Sequence, residues 1–147
     1  MILCDVNVLL YAFRADSERH EDYRAWLLER LGGSENVGVS ELVLSALVRI
    51  ATHPRVYRHP STAAEAFAFA EAVRSRANAV AVSPGSAHWH IFRDLCERSG
   101  AKGNLVPDAY LAALAIESSC EWITTDRDFA RFPGLAWSHP LEGGRHR

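Results

Sequence analysis

The stretch Met1-Ile2-Leu3-Cys4-Asp5-Val6-Asn7-Val8-Leu9-Leu10-Tyr11-Ala12-Phe13 decides the fold class. Met1 to Cys4 reads as a short strand buried on both faces, and a helical stretch follows at once and runs through Phe13. Asp5 stands at the junction. A packing role there would favour an aliphatic side chain, because an unpaired carboxylate is costly to bury. No basic segment precedes this stretch, and Asp5 and Asn7 interrupt its apolar run, so it does not read as a signal peptide.

Outward from this junction, short apolar runs alternate with amphipathic segments, the pattern of an α/β fold rather than a bundle or a β-sandwich. Further strands are expected at Val37 to Val39, Val80 to Val82, Trp122 to Thr124 and Leu135 to Trp137. One helix is expected to be capped by Ser17, to carry the stripe Tyr23, Trp26, Leu27, Leu28 and Leu31, and to end at Gly32-Gly33. Others are expected from Glu41 to Thr52, from the capping-box pair Thr62 and Glu65 to about Ala77, and from the Ser83-Pro84-Gly85-Ser86 turn to Ser99. Leu105-Val106 reads as an apolar lead-in to a helix that starts at Pro107-Asp108 and runs to about Ser118. Asp126 to Phe132 reads as a helical turn, and the two prolines of His53 to Pro60 mark an exposed loop.

The chain has 147 residues, 48% hydrophobic and 23% charged, enough for one domain, expected to span residues 1–142 with a frayed tail at 143–147. A net charge of −2 gives no global attraction to nucleic acid or anionic membrane, so a polyanion has to be held by a local basic patch or by metal. No apolar run approaches the roughly 18–20 residues of a membrane span, and the expected location is cytoplasmic. Cys4, Cys96 and Cys120 are far apart without a C-x-x-C, and read as reduced thiols rather than as a disulfide or zinc framework.

Asp5 and Asp126 each follow an expected strand, and Asp108 follows the apolar lead-in. Ligands of an open parallel sheet bind beyond the carboxyl ends of its strands, where acids distant in sequence can converge. Singly, Asp108 and Asp126 read equally as helix N-caps. Together the three define a cluster that at neutral pH takes up either protons or a cation. All-oxygen ligation favours Mg²⁺ or Mn²⁺ over zinc. One or two such ions suit in-line phosphoryl displacement, which is nuclease chemistry.

Asp5-Val6-Asn7, Pro107-Asp108 before DAYLAALAIE, and Thr124-Thr125-Asp126-Arg127-Asp128-Phe129 together resemble the PIN-domain family, in particular the VapC-type ribonuclease toxins of bacterial toxin–antitoxin pairs. The resemblance spans almost the whole chain. It implies a Rossmann-like fold with a central parallel sheet, a Mg²⁺- or Mn²⁺-dependent endoribonuclease, a VapB-like antitoxin partner and a homodimer. On it, Asp5 and Asp108 match metal ligands and Asp126 a further acid of the site. Asn7 and Thr124 match residues that support the site by hydrogen bonds, and Asp128 a second acid with a structural or site role. The chain departs from the pattern at Ser45-Ala46-Leu47, where many members carry a glutamate. Glu41, a turn earlier, either reaches the site or is a first-turn residue favoured by the helix dipole.

Of the seven histidines, His88 and His90 are two apart on a helix, cannot share a metal, and read as a solvent-exposed pair. His53, Arg55, Arg58 and His59 read as a solvated loop able to touch an RNA backbone, and Arg127 and Arg131 as better-placed phosphate contacts. Tyr23 and Trp26 read as core, or as part of an aromatic groove for an antitoxin peptide. An aspartyl-phosphate phosphatase built on Asp5 lacks its second acid, because Asn7 stands there. A catalytically silent PIN-like module that binds RNA or protein is the alternative function, kept open by the displaced Glu41.

Overall fold

Strand β1 (Ile2–Cys4) lies at the centre of a sheet whose strands all run parallel in this computed structural model, which describes residues 1–144. On one side it pairs with β2 (Val37–Val39), which pairs with the edge strand β3 (Ala79–Ala81). On the other side it pairs with β4 (Glu121–Ile123), which pairs with β5 (Trp137–Ser138). The order β3-β2-β1-β4-β5 places the topological switch point between β1 and β4. Cys4 faces Ile123 in that register, so the residues that follow them, Asp5 and Thr124, emerge side by side at the carboxyl end.

Helices α1 (Val6–Phe13), α2 (His20–Leu31), α3 (Glu41–Ala51), α4 (Ala63–Arg74), α5 (His88–Ser99) and α6 (Leu105–Glu117) connect and flank the strands. The core is continuous through the sheet: Leu3, Val8, Leu47, Leu114 and Trp122 are all essentially inaccessible. Ala109, Ala112, Ala113 and Ala115 are also fully buried, so small side chains let α6 sit close against its neighbours. The expected central parallel sheet flanked by helices is thus present, and the Thr62–Glu65 capping box opens α4.

Several local expectations are corrected. Ser17 does not cap α2. Arg19 adopts a left-handed conformation (φ 57°), and the helix begins at His20 after a turn in which His20 N–H donates to the Ser17 carbonyl. Leu28 of the expected stripe is 40% exposed, while Tyr23, Leu27 and Leu31 are buried. Helix α4 stops at Arg74, three residues before Ala77, because the next strand has to start at Ala79 to meet Val37 in register. Asn78 fixes that start by donating from Nδ2 to the carbonyls of Arg30, Gly33 and Glu35. Leu105-Val106 is no lead-in but the start of α6, so the helix begins two residues before Pro107 and Asp108 stands within its first turn. Pro107 is tolerated there because first-turn amides lack helical partners. His88 is buried rather than exposed: its Nε2 lies 2.9 Å from the Tyr110 carbonyl and its ring packs edge-on to Tyr110. Cys4 and Cys120 are buried, Cys96 is half-buried, and all three are free thiols. The expected tail at 143–147 lies in part outside the described residues.

Candidate metal centre

Asp5 ends β1 and caps α1. Its Oδ1 accepts from Val6 N–H at 2.7 Å, and its Oδ2 accepts from the Thr124 hydroxyl at 2.7 Å. Thr124 follows β4, has no accessible surface, and its Oγ1 also accepts from Asp126 N–H at 3.0 Å. One buried hydroxyl therefore ties the ends of the two central strands and the start of the next turn to a single carboxylate. Asp126 caps the 3-10 helix Arg127–Arg131, its Oδ1 accepting from Asp128 N–H at 2.9 Å. Asp108 is half-buried in the first turn of α6.

These acids feel one another. Burial pushes the Asp5 carboxyl up to about 6; the bonds from Thr124 and Val6 pull the other way, and the charges of Asp108 and Asp126 add to the rise. Burial also raises Asp108, with Asp126 and Asp128 contributing repulsion. Asp5, Asp108 and Asp126 thus share one electrostatic neighbourhood. They do not close into a ready cage: among the described residues, no group of three or more His, Cys, Asp or Glu side chains is arranged to hold an ion.

The residues present fit a hard divalent cation. Asn7 Oδ1 is buried with no hydrogen-bond partner, an acceptor left over on the first turn of α1, two residues from Asp5. The expectation that Asn7 supports the site by a hydrogen bond is not met through this atom, which offers an oxygen instead. Unpartnered oxygen and carboxylates crowded without a counter-charge are the donor chemistry that Mg²⁺ and Mn²⁺ favour.

Other candidates stand apart. Glu41 is exposed at the surface and pairs with Arg74 Nη2 at 3.5 Å. Asp128 is exposed and pairs with Arg131 at 3.5 Å, while Arg127 pairs with Glu142 at 2.8 Å. Both arginines expected to contact phosphate are therefore already bound to acids of the chain. Trp26 is only partly buried and stacks under Arg30, whereas Tyr23 is core. Sequence reasoning missed Arg14, a buried cation at the far end of α1, which carried no motif.

A parallel sheet with acids gathered at the switch point defines the PIN-domain class, and the chain belongs to the PIN domain family, which it matches over residues 2–135. It is similar to ribonuclease VapC43 of Mycobacterium tuberculosis, 43% identical over 147 residues covering 99% of each chain. It is also similar to ribonuclease VapC25 of the same organism, 41% identical over 140 residues, 95% of this chain and 99% of that one. Among solved structures, the VapBC2 complex of Rickettsia felis bound to a promoter DNA fragment shares the fold, with a TM-score of 0.65 and 20% identity over 95% of this chain and 98% of that one.

Proposed function

We infer that the chain is a divalent-metal-dependent endoribonuclease, the toxin of a VapBC-type pair, held in check by a cognate VapB-like antitoxin. The observation that carries this reading is the Thr124–Asp5 bond at the β1/β4 switch point, with Asp108 and Asp126 close enough to raise the proton affinity of Asp5. Full-length similarity to proteins named VapC ribonucleases supports it.

Asp5, Asp108 and Asp126 are the residues to hold the ion, with Mg²⁺ or Mn²⁺ the ions their oxygens suit. Asn7 Oδ1 lies within the same turn to add a neutral oxygen. When bound, the cation supplies an activated water and charge stabilisation for the leaving oxygen of a phosphodiester. Thr124 holds Asp5 in one orientation before anything binds, so no rotamer search delays assembly. Asp126 keeps one oxygen on the Asp128 amide, which fixes its carboxylate at the head of the 3-10 helix. Glu41, paired with Arg74, leaves the site with three carboxylates, a set that holds one ion more firmly than two.

Among the described residues, no helix is long and apolar enough to cross a membrane. A homodimer is part of the same proposal. The direct test is cleavage of RNA with mapped ends, with and without chelator and with Asp108→Asn alongside. Cleavage restored by Mg²⁺ or Mn²⁺ in the natural chain and absent from the variant is expected; equal cleavage by the variant would overturn the assignment.

A further inference from the structure

We propose that the His53–Pro60 loop, with Arg49 beside it, is a rigid ledge that grips the phosphate backbone of single-stranded RNA one helix length from the acids. This rests on the ribonuclease reading above.

The first observation is which cations are free. Among the described residues Arg24, Arg49, Arg55, Arg58 and Arg76 take part in no ion pair, whereas the other eight arginines do. Three of those five lie within residues 49–58, all exposed. Like charges on one short segment repel, and none of the three forms an ion pair with an acid of the described residues. A connection that only joined α3 to α4 would have no use for this arrangement.

The second observation is that the loop is held. Arg14 is buried, and each of its guanidinium nitrogens is committed. Nε and Nη2 donate to the two Asp16 oxygens at 3.0 and 2.6 Å; Nη1 donates to the His59 carbonyl at 2.9 Å and to Ser61 Oγ at 3.0 Å. Its guanidinium also lies 3.8 Å above the centre of the Tyr57 ring. Ser61 N–H closes the base of the loop on the Ala51 carbonyl at 2.8 Å, and Val56 and Tyr57 N–H both donate to the His53 carbonyl at 3.1 Å. Val56, at the tip between the two arginines, is 54% exposed. Arginines on a fixed loop lose less freedom when they engage phosphate, and their forks match it bidentately.

The third observation is placement. Asp5 caps the N-terminus of α1 and Arg14 its C-terminus. This helix of 8 residues is therefore a spacer of about 12 Å between the acids and the clamp. A strand that reaches the acids therefore has its neighbouring phosphates within one helix length of the clamp. With a net charge of −2 for the chain, such local contacts have to supply the electrostatic affinity.

The test is fluorescence anisotropy of a labelled, unstructured oligoribonucleotide in chelator across a salt series, together with steady-state cleavage in Mn²⁺. Arg55→Ala with Arg58→Ala should weaken binding about tenfold and flatten the log Kd against log salt slope by about 1.4, since each lost single-strand phosphate contact removes about 0.7. KM should rise with kcat unchanged at saturating RNA. Arg55→Lys with Arg58→Lys should restore most of the slope. Arg93→Ala with Arg98→Ala, which removes two ion-paired arginines of α5, should change neither quantity. An unchanged slope and KM in the double alanine variant overturns the proposal, as does an equal loss in the α5 control. Unchanged RNA binding with loss of antitoxin binding assigns the loop to a protein partner and overturns it too. If the natural chain neither binds nor cleaves RNA, the ribonuclease reading falls together with this proposal; if it does both and only the double variant is unaffected, this proposal falls alone.

Discussion

The Thr124 hydroxyl donates to Asp5 Oδ2 at 2.7 Å across 119 positions of sequence, while its oxygen accepts from Asp126 N–H at 3.0 Å. Replacement by valine keeps the shape and removes both roles. Leaving a buried carboxylate oxygen without its donor costs about 2 kcal/mol. Partners that orient metal ligands carry roughly 10–100-fold in affinity or activity. Thr124→Val should therefore lower the melting temperature and cut cleavage by one to two orders of magnitude, while Thr124→Ser keeps most of both. A valine variant with full activity would show that Asp5 needs no anchor.

Asp5 makes stability depend on pH in a definite direction. Its carboxyl sits at about 6 in the folded chain against an ordinary value of 3.8, so the folded state binds the extra proton between those values. Stability is then highest below pH 4 as far as this group is concerned, and is lost as pH rises through 6. The difference amounts to roughly 3 kcal/mol. Thermal melts in chelator should show this decline between pH 4 and 7, and Asp5→Asn, which removes the ionising group and also lacks activity, should flatten it. A decline of the same size in Asp5→Asn would place its source elsewhere.

A divalent ion should reverse that penalty. Burial, helped by neighbouring carboxylates, makes the charges of Asp5 and Asp108 costly, and a cation that enters compensates them. With Mn²⁺ at about 100 times its Kd, the folded state should gain about 2.7 kcal/mol. Calorimetric melts at pH 7.5 over a Mn²⁺ series should rise for the natural chain and stay flat for Asp108→Asn. Equal rises in both would remove Asp108 from the ligand set.

Much of the fold and the site is legible in the sequence because periodicity and abrupt chemistry coincide. The run Ile2-Leu3-Cys4 is buried throughout, so it shows no alternation and reads as a central strand, and an acid directly behind it stands out. The Thr62–Glu65 spacing likewise marks a helix start through bonds that are local in sequence. What is not legible depends on long-range partners. His88 reads as exposed because its acceptor, the Tyr110 carbonyl, lies 22 residues away on another helix. Arg14 sits in no motif, and its significance appears only when residues 57–61 fold back over it. The start of α6 differs from expectation because Pro107 suggests a helix beginning, whereas first-turn amides make a proline equally acceptable two residues further in.

Glu41 supplies the sharpest test of how many carboxylates the site uses. It opens α3 directly behind β2, the position from which a fourth acid would be delivered to the carboxyl edge of the sheet. Its side chain is 86% exposed and pairs with Arg74, beside the apolar strip of Leu44, Val48 and Phe67 between α3 and α4. An exposed pair of this kind is worth at most about 1 kcal/mol. Glu41→Gln should therefore leave Mn²⁺ affinity and cleavage within about twofold and shift stability by less than about 0.5 kcal/mol. A tenfold loss of Mn²⁺ affinity in this variant, with the melting temperature in chelator unchanged, would mean that Glu41 leaves Arg74 for the metal, and the site would then count four acids rather than three.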